Sequence, residues 1–161
     1  MTTDTSLKAI TAYLKKQHVL SMCVGDADSL WCANFFYVFN ESSMAFYFLT
    51  DHTTRHGTLL AEHQHVAGTV SDQTITISLI KGVQYSGEVS LLAGDEAQVA
   101  KRLYTSRFPL AKLSVSPIWS LRLDEVKLTN NKLGFGTKLK WLREEANRPA
   151  DEAGLAVAQG K

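Results

Sequence analysis

The sequence is poor in cysteine and proline, and it has no long apolar run and no dominant charge sign. Two cysteines in 161 residues exclude a disulfide-dense secreted scaffold. Cys23 and Cys32 flank an expected hairpin and are read as buried, reduced thiols. Three prolines and ten glycines, with no repeat, exclude collagen-like and linker-like chains. The longest apolar stretch, Met44 to Leu49, is strand-sized, against the about 18–20 residues of a membrane span. No membrane partner is expected. The first residues, Met-Thr-Thr-Asp-Thr-Ser, lack the basic and apolar regions of a secretion signal, so a cytoplasmic location is expected. Gly-x-Ser-x-Gly, Walker and Gly-x-Gly-x-x-Gly patterns are missing. The pairs His52/His56 and His63/His65 lack the further ligands that zinc requires, so no metal is expected.

What is present is a 45% hydrophobic composition suited to one folded domain. Leu7, Ile10 and Leu14 predict a first helix that ends near Gln17. Strands are expected at 18–24, 30–39 and 44–50, joined by Gly25-Asp26-Ala27-Asp28 and Asn40-Glu41-Ser42-Ser43 as a meander. A helix over 53–62 and a short strand over 66–70 follow. From Ile75 to Leu91 apolar residues hold the odd positions, which predicts one or two half-buried strands. Gly82 and Gly87 mark bends or bulges there. Asp95 is the expected cap of a third helix whose apolar face is Val99, Ala100, Leu103 and Tyr104. Trp119 to Leu128 alternates, with a bulge expected at Asp124-Glu125. Asn130-Asn131 suggests a two-residue turn that sets Leu128 opposite Leu133 and Val126 opposite Phe135. Residues 1–143 thus form one domain, mainly β with peripheral helices. Six to eight antiparallel strands in this arrangement suggest a barrel, which removes exposed edges. Residues 144–161 lose all period and read as a flexible tail.

Charge is balanced in total, 17 basic against 16 acidic residues, but unevenly placed. Residues 100–143 hold ten Lys or Arg against only Asp124 and Glu125. Nucleic acid is not an expected partner all the same, because Trp119, Phe135 and Trp141 fit strand-core alternation better than exposed stacking. Arg122, Lys127, Lys132, Lys138 and Lys140 are expected on the outer wall or a dimer groove.

Thr53-Thr54-Arg55-His56 opens the second helix, where free N–H groups and partial positive charge meet a planar guanidinium. That is the chemistry of a phosphate cradle. A contact through His56 should strengthen below about pH 6.5. Lys81 is a further candidate cation. Asn34 and Phe36 share one face of their strand, and Phe35, Tyr37 and Phe39 take the other, core-facing side.

The segments Ala33-Asn34-Phe35-Phe36-Tyr37-Val38, Ala45-Phe46-Tyr47-Phe48-Leu49-Thr50 and Thr54-Arg55-His56 resemble the strand, strand and Ser-Arg-Lys helix start of the pyridoxamine-phosphate-oxidase-like, FMN-binding split-barrel superfamily. Within it the chain is most similar to the YhbP family. Lys16-Gln17-His18-Val19, Leu30-Trp31-Cys32-Ala33-Asn34, Leu123-Asp124-Glu125 and Leu133-Gly134-Phe135-Gly136 carry that resemblance in order. The resemblance implies a split-barrel homodimer with FMN in a groove between subunits, and two-electron chemistry carried by the flavin. Thr50, Thr54, Arg55 and His56 would form the phosphate cradle, and Asn34, Phe36 and Lys81 the ring environment. Asn34 and Phe39 stand where the oxidases use arginine and lysine, His56 replaces a lysine, and Gly82 replaces a glutamine. Those departures motivate the alternative, a flavin-free split barrel that binds another phosphorylated small molecule or serves as a dimeric interaction module.

Overall fold

The computed structural model describes residues 3–134 and 136–147. Helix α1 (Thr3–Lys16) leads into β1 (Val19–Val24), β2 (Trp31–Phe36), β3 (Val38–Asn40), β4 (Ala45–Leu49), α2 (Arg55–Glu62), β5 (His65–Ser71), β6 (Lys81–Leu91), α3 (Gly94–Arg107), β7 (Ile118–Asn130), β8 (Lys138–Leu142) and α4 (Arg143–Ala146). All pairings are antiparallel, in the order β2-β1-β5-β6-β7-β4-β3, with β8 also on β7. The chain is a split β-barrel: the alternation led one to expect a barrel, and the resemblance implied its split form.

The expected strand over 30–39 is one run broken at Tyr37. Its first half, β2, pairs with β1, and its second half, β3, pairs with β4. The two ends of the sheet are therefore one bent strand, and the bend closes the barrel. Tyr37 is fully buried there. Its N–H donates to the His18 carbonyl at 2.9 Å and its hydroxyl to the Leu14 carbonyl at 2.8 Å. Around it, Tyr37–Phe46 and Phe35–Phe48 rings sit 4.5 and 4.9 Å apart. Ile10 and Leu14 of α1 add fully buried side chains to this core.

Strand β7 is shared: residues 118–122 pair with β4, residues 125–129 with β8, and β6 runs along its other side. The register with β6 slips where Ser86 faces Glu125 and Gly87 faces Leu123, so Asp124 is the extra residue of a bulge. Both the glycine and the acidic pair had marked this point.

Five local expectations are corrected. Cys23 and Cys32 are directly opposite in β1 and β2, with Cα atoms 4.2 Å apart, and form a disulfide. Cys32 is exposed, so they are not buried free thiols. Residues 75–79 do not extend the strand: Ile77–Leu79 is a 3-10 turn, and Ile75 is fully exposed, with no strand pairing it among the described residues. Asp95 lies inside α3, whose cap is Ala93 without a side-chain bond; Ala100 and Tyr104 are buried but Val99 and Leu103 face outward. The β7–β8 connection is longer than two residues. Asn131–Leu133 makes a 3-10 turn and Gly134 and Gly136 take positive φ, so Leu128 faces Leu139 and Val126 faces Trp141. Of the segment read as a tail, residues 144–146 continue the helical turn α4; residues 148–161 lie outside the described residues.

The Tyr85 ring crosses Gly68 so that its hydroxyl donates to the Ser21 carbonyl at 2.8 Å. A Cβ at position 68 would meet that carbonyl and the phenol together. Gly68→Ala should therefore cost about 2–3 kcal/mol, read as a lower urea midpoint at unchanged m-value.

Candidate functional site

Thr54 has extended backbone and caps α2. Its hydroxyl accepts from the Gly57 N–H at 3.0 Å and donates to the Asp51 carbonyl at 2.8 Å. Asp51 turns its carboxylate back onto Thr53, accepting from its N–H at 2.8 Å and its hydroxyl at 2.7 Å. These bonds hold the Asp51 carboxyl below the usual range, so it is charged at neutral pH. Capping leaves the Arg55 and His56 N–H groups without an acceptor among the described residues.

Arg55 is exposed, and its guanidinium lies 3.9 Å from the ring centre of Trp31 at the start of β2. The stack fixes the cation at the helix start and leaves its edge donors open. His56 turns the other way. Its Nε2 is 2.7 Å from the hydroxyl of buried Thr50, and its ring meets Phe35 edge-on at 4.9 Å. Thr50 is fixed in turn by Trp119, whose indole N–H donates to the Thr50 carbonyl at 3.1 Å. Thr50, Thr54, Arg55 and His56 thus form one cluster.

Asn34, Phe36 and Lys81 do not join it. In β2, Trp31 and Phe35 meet α2, whereas Asn34 and Phe36 lie at the alternate, exposed positions. Phe36 stacks on His18 at 5.9 Å and meets Phe108 edge-on at 5.4 Å. Lys81 lies farther still. Trp31 faces Val24, and the neighbouring registers bring that level to Gly87 of β6, six positions from Lys81. At the usual rise this is about 20 Å. Phe35, Tyr37 and Phe39 are all buried, as expected.

Sequence reasoning passed over Trp31 and Asp51 as site residues. An exposed tryptophan beginning a strand, and an aspartate two residues before a threonine, were the available signals.

The fold defines the class: a split-barrel protein. It is similar to the solved heme-binding protein from Mycobacterium smegmatis (TM-score 0.71, 17% identity, 89% of this chain and 59% of that one). It is also similar to an FAD-binding protein from Mesorhizobium loti (TM-score 0.61, 10% identity, 75% of this chain and 91% of that one). At these identities the likeness concerns the fold. No family model matches the chain. Sequence relatives are nearer: a UPF0306 protein of Yersinia pestis is 52% identical over 136 residues, 84% of this chain and 92% of the relative. A UPF0306 protein of Yersinia pseudotuberculosis matches over the same extent. The chain belongs to the UPF0306 family. No helix among the described residues is long and apolar enough to cross a membrane.

Burial lowers the His56 pKa from its usual value, so the folded ring stays neutral to lower pH than in the unfolded chain. The expected gain of charge therefore falls further below pH 6.5 than composition suggested. The unfolded state binds the extra proton, so this contribution to stability is present at neutral pH and is lost as pH falls from about 6.5 through the folded pKa. Urea midpoints measured from about pH 7.5 to 5.5 should fall. His56→Gln should flatten that fall.

Proposed function

We propose that this UPF0306 protein is a YhbP-type split barrel that binds a flavin, FMN by preference, with its phosphate at the start of α2. One observation carries the reading: the Arg55 guanidinium stacked on Trp31 beside two unpaired N–H groups. A phosphoryl group suits the guanidinium edge and the N–H pair, and a planar ring suits the exposed aromatic beside them. These residues fit the group. Thr54 orients the helix start, Arg55 binds the phosphate, and Thr50 holds His56 in place against Phe35, where burial keeps the ring neutral. Bound flavin would supply two-electron redox chemistry. Asp51 lies at the same helix start and weakens anion binding, which favours modest affinity.

The same reading includes a homodimer in the cytoplasm. Leu110, Leu113 and Val115 follow α3 and are 84%, 85% and 96% exposed, an apolar cluster that a second copy of the chain would cover. Sedimentation equilibrium should give twice the chain mass. Leu113→Arg should shift the mass toward the monomer.

The second reading, a flavin-free split barrel holding another phosphorylated molecule or acting as an interaction module, is favoured by Arg55 being the sole permanent cation of the cluster. Gel filtration after incubation with FMN separates the two. Wild-type protein should elute yellow, and Arg55→Ala should bind roughly tenfold more weakly. Colourless wild-type protein with no measurable FMN affinity sinks the flavin reading.

A further inference from the structure

Of the residues that the Arg55 cluster does not gather, Asn34 and Lys81 line two adjoining cavities. On the outer face of β1, β2 and β5 is a groove of about 600 Å³, lined by Ser21, Asn34, Thr69, Ser71, Asp72 and Gln73 among others. Ser21 and Thr69 share a hydrogen bond of 2.7 Å between their hydroxyls. The side chains of Asn34, Ser71 and Gln73 have no hydrogen-bond partner among the described residues. The groove shares Gln17 and Asp72 with a second cavity of about 210 Å³. That cavity is lined by Lys16, Lys81 and Lys132, with Tyr13 and Thr74 beside them.

The charges here are unmatched. Elsewhere on α1, Lys8 pairs with Asp4 at 2.7 Å and Lys15 pairs with Glu41. Lys16, Lys81 and Lys132 have no carboxylate within ion-pair distance among the described residues. Asp72 lines the same cavity, yet its Oδ1 is buried with no hydrogen-bond partner. The other oxygen of this carboxylate is not buried and has no partner among the described residues, so it is open to a donor. Three ammonium groups call for an anion. Tyr13 cannot supply the anion. Its hydroxyl is turned to the Lys81 carbonyl at 3.1 Å, and burial, with the Asp72 charge, pushes its pKa up to about 12.

We propose that this two-chambered groove is a binding site for a phosphorylated polyhydroxy compound of sugar-phosphate size. The phosphate occupies the lysine chamber. A hydroxyl next to it donates to the accessible oxygen of the Asp72 carboxylate, which lines both chambers. The remaining hydroxyls exchange hydrogen bonds with Asn34, Ser71 and Gln73 in the polar chamber. One ligand then pairs with the lysines, donates to Asp72 and fills the polar chamber together; a neutral sugar lacks the charge for the first, and inorganic phosphate lacks the hydroxyls for the last. The volume falls within the about 300–1,000 Å³ of small-molecule sites. The site is separate from the Arg55 cradle and does not depend on the flavin reading.

Isothermal titration of the full chain with ribose 5-phosphate, inorganic phosphate and ribose tests it. Ribose 5-phosphate should bind best and phosphate less well, and ribose should give no measurable heat. Lys81→Ala and Lys132→Ala should each weaken ribose 5-phosphate about tenfold or more, with far-UV circular dichroism unchanged. Asp72→Asn separates the roles. It should weaken ribose 5-phosphate, yet leave inorganic phosphate as tight or tighter, because a negative charge has gone. The proposal is overturned if ribose 5-phosphate does not bind, binds no better than phosphate, or binds equally to both lysine variants. Displacement of bound FMN by ribose 5-phosphate would place the two on one site and also overturn it.

Discussion

The structure depends on the bend at Tyr37. Residues 31–40 carry the aromatic and β-branched character of one strand, but a straight strand would pair on one side only and leave the sheet open. Breaking at Tyr37 lets β2 join one end of the sheet and β3 the other. The bend is held because the Tyr37 side chain is anchored to α1 at Leu14 and its backbone to the end of the same segment at His18. Arg107 adds a third tie from α3, donating to the Gln17 carbonyl at 2.7 Å. Helix α1 is therefore more than a cover. It supplies the acceptors that the last carbonyls of a helix leave free, and it uses them to fix the corner of the barrel.

The arginines of the basic C-terminal third serve the fold. Arg107 ties α1 to the bend. Arg143 donates to the Leu123 carbonyl at 2.7 Å and, through its other end, to the carbonyls of Ser43 and Met44 at 3.0 and 3.1 Å. It holds the β3–β4 turn, where Met44 takes a positive φ, against the bulge in β7. Arg122 lies 3.6 Å from Glu88 and 3.3 Å from Asp124. These arginines are structural, each placed where its planar fork reaches two or more acceptors at once. The lysines of this third, point donors on flexible stems, make no ion pair among the described residues, and Lys132 is one of the three around the small cavity.

The sequence disclosed the barrel because strands with one buried face write period two directly into the chain. Trp119 to Leu123, Val83 to Leu91 and the bulge at Asp124 were all legible for that reason. The odd-numbered pattern continued through Ile75 and Ile77, but the pattern records which residues could be buried, not whether a partner strand exists. The hairpin after Asn130 was misregistered by the same limitation: Leu133 and Leu139 are both apolar and both an odd number of positions from Leu128, so alternation alone accepts either. The cysteines were misread because burial statistics describe cysteines singly. The relevant fact is that a two-strand register sets Cys23 directly across from Cys32, and register is a property of the pair.

The functional residues were legible one at a time but not as a set. Thr54, Arg55 and His56 are neighbours in sequence and share one helix start, so any fold that keeps the helix keeps them together. Asn34 and Lys81 were joined to them only by the family resemblance. In this barrel, alternation sends Asn34 outward while Trp31 and Phe35 meet α2, and the length of β6 carries Lys81 to the opposite end. Period two, which made the fold readable, is also what divides the polar residues between two places. One place offers a stacked cation and helix N–H groups suited to a phosphate beside an aromatic ring. The other offers unpaired lysines and a carboxylate suited to a phosphate beside hydroxyls. The demands differ in kind, because an aromatic platform rewards a planar partner and a lone acceptor rewards a donor. The two proposed anion sites are therefore chemically distinct, and the ligand at either would be defined less by its phosphate than by what lies next to it.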